Sequence, residues 1–343
     1  MARSASAAVR RPRCGSTVRL DDCACSSLAE GAEPSAWRQQ LHFPYCQRSQ
    51  ACEDRLRPHA QDATIAIALH HSNSTVRPWF KGAPLDSYLH NMRLLVRLLL
   101  SLRSVDTALP VRVLLSGERH VAFDALLASL GAKLVDADAF ATAKPTWATQ
   151  YYEDSFTKLR ALSLTEFRRV VVLDTDAVVL QNIDELSGAQ APAFVFRPTP
   201  CNERSTLNWR AWEMNSGVMV LEPSASELGR LRRLLYSAEF QRIGHRTDPG
   251  DQSVWRHFFD EVHELPVRYN TMGTTNCIWF NTTCIQPLSA VRWDGVRVYH
   301  DVESYRRAFR PPRSTAVARA LARHTSEAAM LLGEVCKREG LSC

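Results

Sequence analysis

From residue 64 onward, short unbroken apolar runs alternate with longer segments whose apolar residues recur every three or four positions. The runs read as buried strands: TIAIAL (Thr64–Leu69), VRVLLSG (Val111–Gly117, stopped by its glycine), AKLVDA, and VVVL (Val170–Leu173). The longer rhythm predicts helices over about Ser87–Arg103, with a leucine-rich face, over Phe123–Leu130, ended by Gly131, and over Asp154–Phe167. Farther along, PAFVF and SGVMVLEP read as strands on either side of a tryptophan-containing loop, and Glu227–Tyr236 reads as a helix. GDQSVWRHFFDEV opens another helix after Pro249-Gly250, VRVYH (Val296–His300) is the last strand, and Ser314–Lys337 is a helix beyond the Pro311-Pro312 break. Strands alternating with helices imply an α/β fold with a mostly parallel sheet and right-handed crossovers. Residues 1–61 lack a sustained period and read as an irregular, cysteine-containing extension; residues 62–310 form the folded domain and 311–343 a helical tail.

One apolar run ends abruptly. In RRVVVLDTDAVVLQNIDEL, Asp174 and Asp176 sit one residue apart between Val170–Leu173 and the apolar segment Ala177–Leu180. Most Asp-x-Asp triplets are solvated turn residues, since aspartate suits turns for its own hydrogen bonding. Here the flanks read as a central parallel strand, and a period of two aims both carboxylates to one side. Ligands of open α/β sheets bind beyond the carboxyl ends of strands, where this pair falls. Two converging hard oxygen ligands suit Mg²⁺ or Mn²⁺ better than Zn²⁺.

Composition narrows the classes. The apolar share of 45% and charged share of 23% are those of an ordinary globular protein. The net charge of +6 lies at the ends: residues 61–300 hold 25 bases and 25 acids. A nucleic-acid binder would concentrate basic residues in its folded part, so no nucleic-acid partner is expected. No apolar run reaches the roughly 18 residues of a membrane span; LLVRLLLSL (Leu94–Leu102) is too short and is broken by Arg97. The first twenty residues carry five arginines and no acid, which fits an organelle transit peptide or a basic tail. Ten cysteines, with Cys277 and Cys284 close enough to close a loop, and sequons at Asn73 and Asn281 favour a Golgi or other secretory lumen; the cytoplasm is the alternative.

Other polar residues fall in a set order around the Asp-x-Asp pair. Lys158 precedes it, MNSGVMVLEPS (Met214–Ser224) follows, then DPGDQ (Asp248–Gln252), and His300 ends the last strand. Lys158 is one of five lysines in a chain with 37 arginines, which makes a retained lysine informative. In this order and spacing the chain resembles the glycogenin-like glycosyltransferases of family 8 over about residues 62–307. The resemblance implies a GT-A fold, a Rossmann-like α/β/α sandwich. It also implies sugar transfer from a UDP-sugar, with Mn²⁺ (or Mg²⁺) and retention of configuration, to a hydroxyl acceptor on a glycan, protein or lipid. By position, Asp174, Asp176 and His300 would hold the metal. Leu69, Tyr88, Lys158, Asp174, Thr175, Asp176, Asn215, Ser216, Asp248, Asp251, Gln252 and Arg306 would contact the donor, with Lys158, Asp251 and Gln252 catalytic.

The chemistry accounts for these residue types independently of the resemblance. Breaking a sugar–phosphate bond leaves negative charge on the diphosphate, which a divalent metal and a lysine stabilise, and the amides and carboxylates can hold sugar hydroxyls. Trp209 and Trp212 suit either acceptor sugars or the core. The segment HDVESYRRAFRPP departs from the family, with Glu303 where the family has glycine and Arg306 where it has lysine; Arg306 is the expected diphosphate clamp. Two rival readings stay open: a non-catalytic sugar-nucleotide-binding or scaffold protein on the same fold, and a haloacid-dehalogenase-type phosphatase. A homodimer is an open option for its assembly.

Overall fold

Alternate residues of the apolar strands point to opposite sides of one sheet, and each side is covered by helices. A computed structural model describes residues 17–19, 43–44, 62–71, 84–117, 119–137, 150–198, 211–243, 250–259, 261–265, 267–272, 293–301, 311 and 313–341. Its strands are β1 (Thr17–Arg19), β2 (Phe43–Pro44), β3 (Ala63–His71), β4 (Val111–Gly117), β5 (Ala132–Asp136) and β6 (Arg169–Leu173). They continue with β7 (Ala177–Val179), β8 (Ala193–Pro198), β9 (Ala211–Leu221), β10 (Glu261–Leu265), β11 (Thr271–Met272) and β12 (Val298–His300). The helices are α1 (Pro84–Ser104), α2 (Val121–Ser129), α3 (Ala225–Tyr236), α4 (Ala238–Ile243), α5 (Asp251–Phe258) and α6 (Ala316–Glu339).

The large sheet runs β1-β10-β8-β9-β6-β3-β4-β5, with β2 against β9. From β6 through β3 and β4 to β5 every pairing is parallel, whereas β9 lies antiparallel between β6 and β8. The pattern-based expectation of a mostly parallel α/β sheet is met. A second sheet, β11-β12-β7, is small and mixed. Ile65, Ile67, Val113, Leu115, Val171 and Leu173 face α1, α2 and α6. Ala66, Leu114, Val170 and Val172 face the other side, against Phe156, Leu159 and Leu162, Leu231 and Leu235 of α3, and Trp255 and Phe258 of α5. Val170, Val171, Val172 and Leu173 are each 0% exposed, and burial at roughly 1.5–3 kcal/mol per side chain holds this strand firmly at the centre. Ala328, Leu332 and Val335 bring α6 into the first of these cores.

Two elements differ from the pattern. The segment expected to be helical over Asp154–Phe167 is a 3₁₀ helix, Gln150–Ser163, ending before a turn in which Phe167 N–H bonds Leu164 C=O at 3.0 Å. Phe156, Leu159 and Leu162 are spaced by three, so the tighter winding still lines them along one buried ridge. The helix after Gly250 stops at Phe258, and its expected continuation turns into β10. Phe259 leaves the helix in an extended conformation and stacks on Trp255 with ring centroids 5.7 Å apart, so aromatic packing replaces another helical turn.

Candidate active site

The Asp-x-Asp pair lies where the chain leaves one sheet for the other. β6 ends at Leu173 in the large sheet, and β7 begins at Ala177 in the small one. Asp174, Thr175 and Asp176 form the turn between them, closed by Ala177 N–H to Asp174 C=O at 3.0 Å. The carboxylates converge through this turn, and not through the strand alternation expected from the sequence. Asp174 N–H still bonds Gly217 C=O at 2.9 Å, which anchors the turn to β9. In the small sheet His300 pairs with Ala177, and this places its imidazole over the turn.

Asp174, Asp176 and His300 meet there. Each offers a ligand atom, and these atoms lie within 4.8 Å of one another. His300 Nε2 is 3.0 Å from Asp176 and 3.6 Å from Asp174. Burial works against the charge on Asp176, but His300, Arg97 and Lys158 outweigh it and hold the carboxyl far below the usual range. Two anionic oxygens and an imidazole nitrogen so close together are a donor set that fits Mn²⁺ or Mg²⁺.

Lys158 comes from the 3₁₀ helix on the opposite side. Its Nζ lies 2.7 Å from Asp174 and 3.1 Å from Asp251, and donates to Ser216 Oγ at 3.3 Å. Burial disfavours its charge, yet Asp174 and Asp251 outweigh burial and raise its pKa above the ordinary lysine value, so it stays an ammonium. One ammonium balances only one of two carboxylates. Asp251 is the more deeply buried of the two, at 5% side-chain exposure against 24% for Asp174. Burial pushes its carboxyl up, Lys158 pulls it down, and Asp174 adds to the rise. Trp255 Nε1–H donates to the second oxygen of Asp251 at 3.1 Å, and Ser155 Oγ accepts from its backbone N–H.

β9 delivers the remaining polar groups through an irregularity. Its pairing with β8 shifts register between Phe194, opposite Met219, and Val195, opposite Asn215, so residues 216–218 bulge from the ladder beside the end of β6. Asn215 and Ser216 are buried there, next to Gln252 in the first turn of α5. Gln252 Oε1 accepts from Asn215 Nδ2 at 3.0 Å and from Ser216 N–H at 3.1 Å. Its buried Nε2 has no hydrogen-bond acceptor among the described residues. Gly217 is required by packing: a Cβ on it would overlap the His300 ring and come within 2.8 Å of Asn215 Oδ1.

The sequence-derived set therefore divides. Lys158, Asp174, Thr175, Asp176, Asn215, Ser216, Asp251, Gln252 and His300 are brought to one place. Leu69 and Tyr88 lie together along the same sheet edge, where they line a small cleft with Met92, Leu115 and Arg119. Tyr88 is buried, its ring 5.5 Å from Phe123 and 5.8 Å from His120. Asp248, Glu303, Arg306, Cys277, Cys284 and Trp209 lie outside the described residues, as does the side chain of Trp212. Sequence reasoning missed Asn270, whose Oδ1 lies 2.9 Å from His300 Nδ1. It also missed Arg97 and Asp301: Arg97 donates to Asp301 at 2.7 Å and to Asp176 C=O at 3.0 Å. The signal for Arg97 was present, since a charge inside an apolar helix face needs a buried partner.

Known proteins share both the sequence and the architecture. A family model described as "Mannosyltransferase putative" matches residues 86–189. A UDP-glucuronate:xylan alpha-glucuronosyltransferase of Arabidopsis thaliana is 30% identical over 133 residues, covering 39% of this chain and 19% of that protein. Glycogenin-1 of Caenorhabditis elegans is 31% identical over 112 residues, covering 33% of this chain and 22% of that protein. The matched stretch is thus only about a fifth of each relative. In fold, the chain is similar to the galactosyltransferase LgtC crystallised with donor and acceptor sugar analogs: TM-score 0.51, 18% identity, 78% of this chain and 95% of that one. Motif order, sheet topology and these likenesses agree: the chain has the GT-A fold, and its sequence is similar to the glycogenin-like glycosyltransferases of family 8.

Proposed function

We propose that the protein transfers a sugar from a UDP-sugar to a hydroxyl acceptor, with Mn²⁺ held by Asp174, Asp176 and His300. The observation that carries this reading is the meeting of that ligand trio with Lys158, Asp251 and Gln252 at one sheet edge. The metal, when bound, would supply a Lewis acid for the diphosphate oxygens. In the transfer, the bond between the anomeric carbon and the phosphate oxygen breaks and its electron pair leaves with UDP. The acceptor oxygen forms the new bond to that carbon, and its proton passes to the departing phosphate or to solvent. Lys158, permanently charged between its carboxylates, stabilises the charge that develops on the leaving group. The Nε2 group of Gln252 supplies a donor to a sugar oxygen, and Asp251 an acceptor for a sugar hydroxyl. The reading also assigns Arg306 to the diphosphate in place of the family's lysine, and puts the reaction in a secretory lumen.

A hexosyl group is the sugar we favour, and glucuronosyl is the second reading, raised by the glucuronosyltransferase among the relatives. UDP release measured over a panel of UDP-hexoses and UDP-glucuronate with Mn²⁺ tests both. Release with one donor, abolished by EDTA, supports transfer. Cleavage of phosphomonoesters in its place would establish the phosphatase, and inactivity with retained UDP binding the non-catalytic alternative.

A further inference from the structure

Four side chains form a one-directional relay from α5 to the metal ligands. Gln252 Oε1 accepts from Asn215 Nδ2, Asn215 Oδ1 accepts from Asn270 Nδ2 at 2.6 Å, and Asn270 Oδ1 faces His300 Nδ1 at 2.9 Å. Amides can be turned end for end, but two backbone groups fix this sense. Ser216 N–H donates to Gln252 Oε1, and Gly217 N–H donates to Asn215 Oδ1 at 2.9 Å. A peptide N–H cannot become an acceptor, so turning either amide would set donor against donor. With Asn215 Oδ1 fixed as an acceptor, Asn270 must present its NH₂ there and its oxygen to His300. All four side chains are buried, Asn270 at 1% exposure, so solvent does not offer a replacement partner.

We infer that Asn270 is a positioning residue that keeps a proton of His300 on Nδ1, so that Nε2 is the nitrogen left to bind a metal held with Asp174 and Asp176. An imidazole has one proton when neutral, and only the unprotonated nitrogen can bind a metal. Gly217 completes the device by leaving room for the ring, while the relay decides which of its nitrogens faces the carboxylates. The assignment extends the metal reading of the site and rests on it. It also gives Asn215 and Gln252 a second duty, since their amides orient the histidine from two and three residues away along the relay.

Mn²⁺ affinity measured by electron paramagnetic resonance, with and without UDP, separates the possibilities. Asn270→Leu and Asn270→Ala remove the acceptor and should weaken Mn²⁺ binding by about 10–100-fold, the usual range for an outer-shell partner of a metal-bound histidine. Asn270→Asp also breaks the link to Asn215 but keeps an acceptor for Nδ1–H, and should recover most of that loss. In Mg²⁺-loaded protein, the ¹⁵N shifts of the His300 ring should report Nδ1–H in the parent and in Asn270→Asp, and a changed ring in whichever of Asn270→Leu and Asn270→Ala folds. Equal losses in all three variants would assign Asn270 to general packing and overturn the inference while leaving the metal site intact. A parent that binds no Mn²⁺ would overturn the metal reading and this inference together.

Discussion

Asp174 and Asp176 are one residue apart, yet they belong to different halves of the site. Asp174 looks toward the large sheet, where Lys158 bridges it to Asp251 within 3.1 Å. Asp176 looks toward the small sheet, where His300 lies 3.0 Å from its carboxylate and Arg97 and Asp301 N–H both hold its carbonyl at 3.0 Å. The first half holds a buried ammonium and an amide donor, the groups that the proposed transfer needs for a developing negative charge. The second holds the candidate metal ligands on a backbone clamped from behind. The turn between the sheets couples the halves, so changes on the two sides should fail in different ways.

The largest effect should come from the ligand itself. Asp176→Asn removes one anionic ligand and should lower sugar transfer by ~10³-fold or more, given the several kcal/mol that a catalytic metal supplies. The side chain keeps its shape but loses the charge that His300, Arg97 and Lys158 favour, so the protein should stay folded with a lowered unfolding midpoint. Transfer that persists in this variant with EDTA present would remove the metal from the reaction.

Lys158→Ala tests the other half. Loss of a preorganised cation should cost about 2–4 kcal/mol in the transition state. The loss should appear in kcat more than in nucleotide affinity if the charge matters as the diphosphate departs. This variant should also lower the unfolding midpoint, because Asp251 would keep a buried carboxylate without its cation. A folded variant with parental kcat would return Lys158 to a purely structural role.

Much of this division was legible in the chain. The apolar runs gave the central strands because residues buried on both faces leave no polar alternation, and the carboxylates that interrupt such a run stand out. Lys158, Asn215, Ser216, Asp251, Gln252 and His300 stood out because their order around that pair resembles the family's. The helpers behind them were not. Asn270 and Asp301 are ordinary polar residues at the ends of short elements, and their duties arise only when β11 pairs with β12 and β12 with β7. Gly217 is a similar case: its need is set by the ring of a residue 83 positions away, and not by backbone conformation. The 3₁₀ winding of Gln150–Ser163 was hidden because a spacing of three suits both helix types over a few turns.

Gly217→Ala sharpens the comparison from the ligand side. The backbone tolerates alanine, but the new Cβ must push the His300 ring aside. Mn²⁺ affinity should fall by roughly 10-fold or more, on the scale of lost outer-shell support, while Lys158 and its carboxylates stay in place. Calorimetric titration with Mn²⁺ in the presence of UDP would measure it. Unchanged affinity would mean that the histidine has more room than the packing indicates.

The smallest expected effect is at the clamp behind Asp176. Arg97 uses one arm of its guanidinium for Asp301 and the other for Asp176 C=O. Arg97→Lys keeps the charge beside Asp301, whose side chain is only 10% exposed, so it avoids the larger penalty of leaving a buried carboxylate unpaired. A single ammonium on a shorter stem lacks the fork needed to reach both acceptors. The carbonyl of Asp176 is not orphaned, because Asp301 N–H still donates to it. The loss should therefore be close to one ordinary hydrogen bond, about 1 kcal/mol of stability, with only a few-fold change in Mn²⁺ affinity. Chemical denaturation would read the first and the Mn²⁺ titration the second. A stability loss beyond about 3 kcal/mol would show that the fork, and not the charge, holds the two sheets together at this turn, and the ligand half would then depend on α1 as much as on β12.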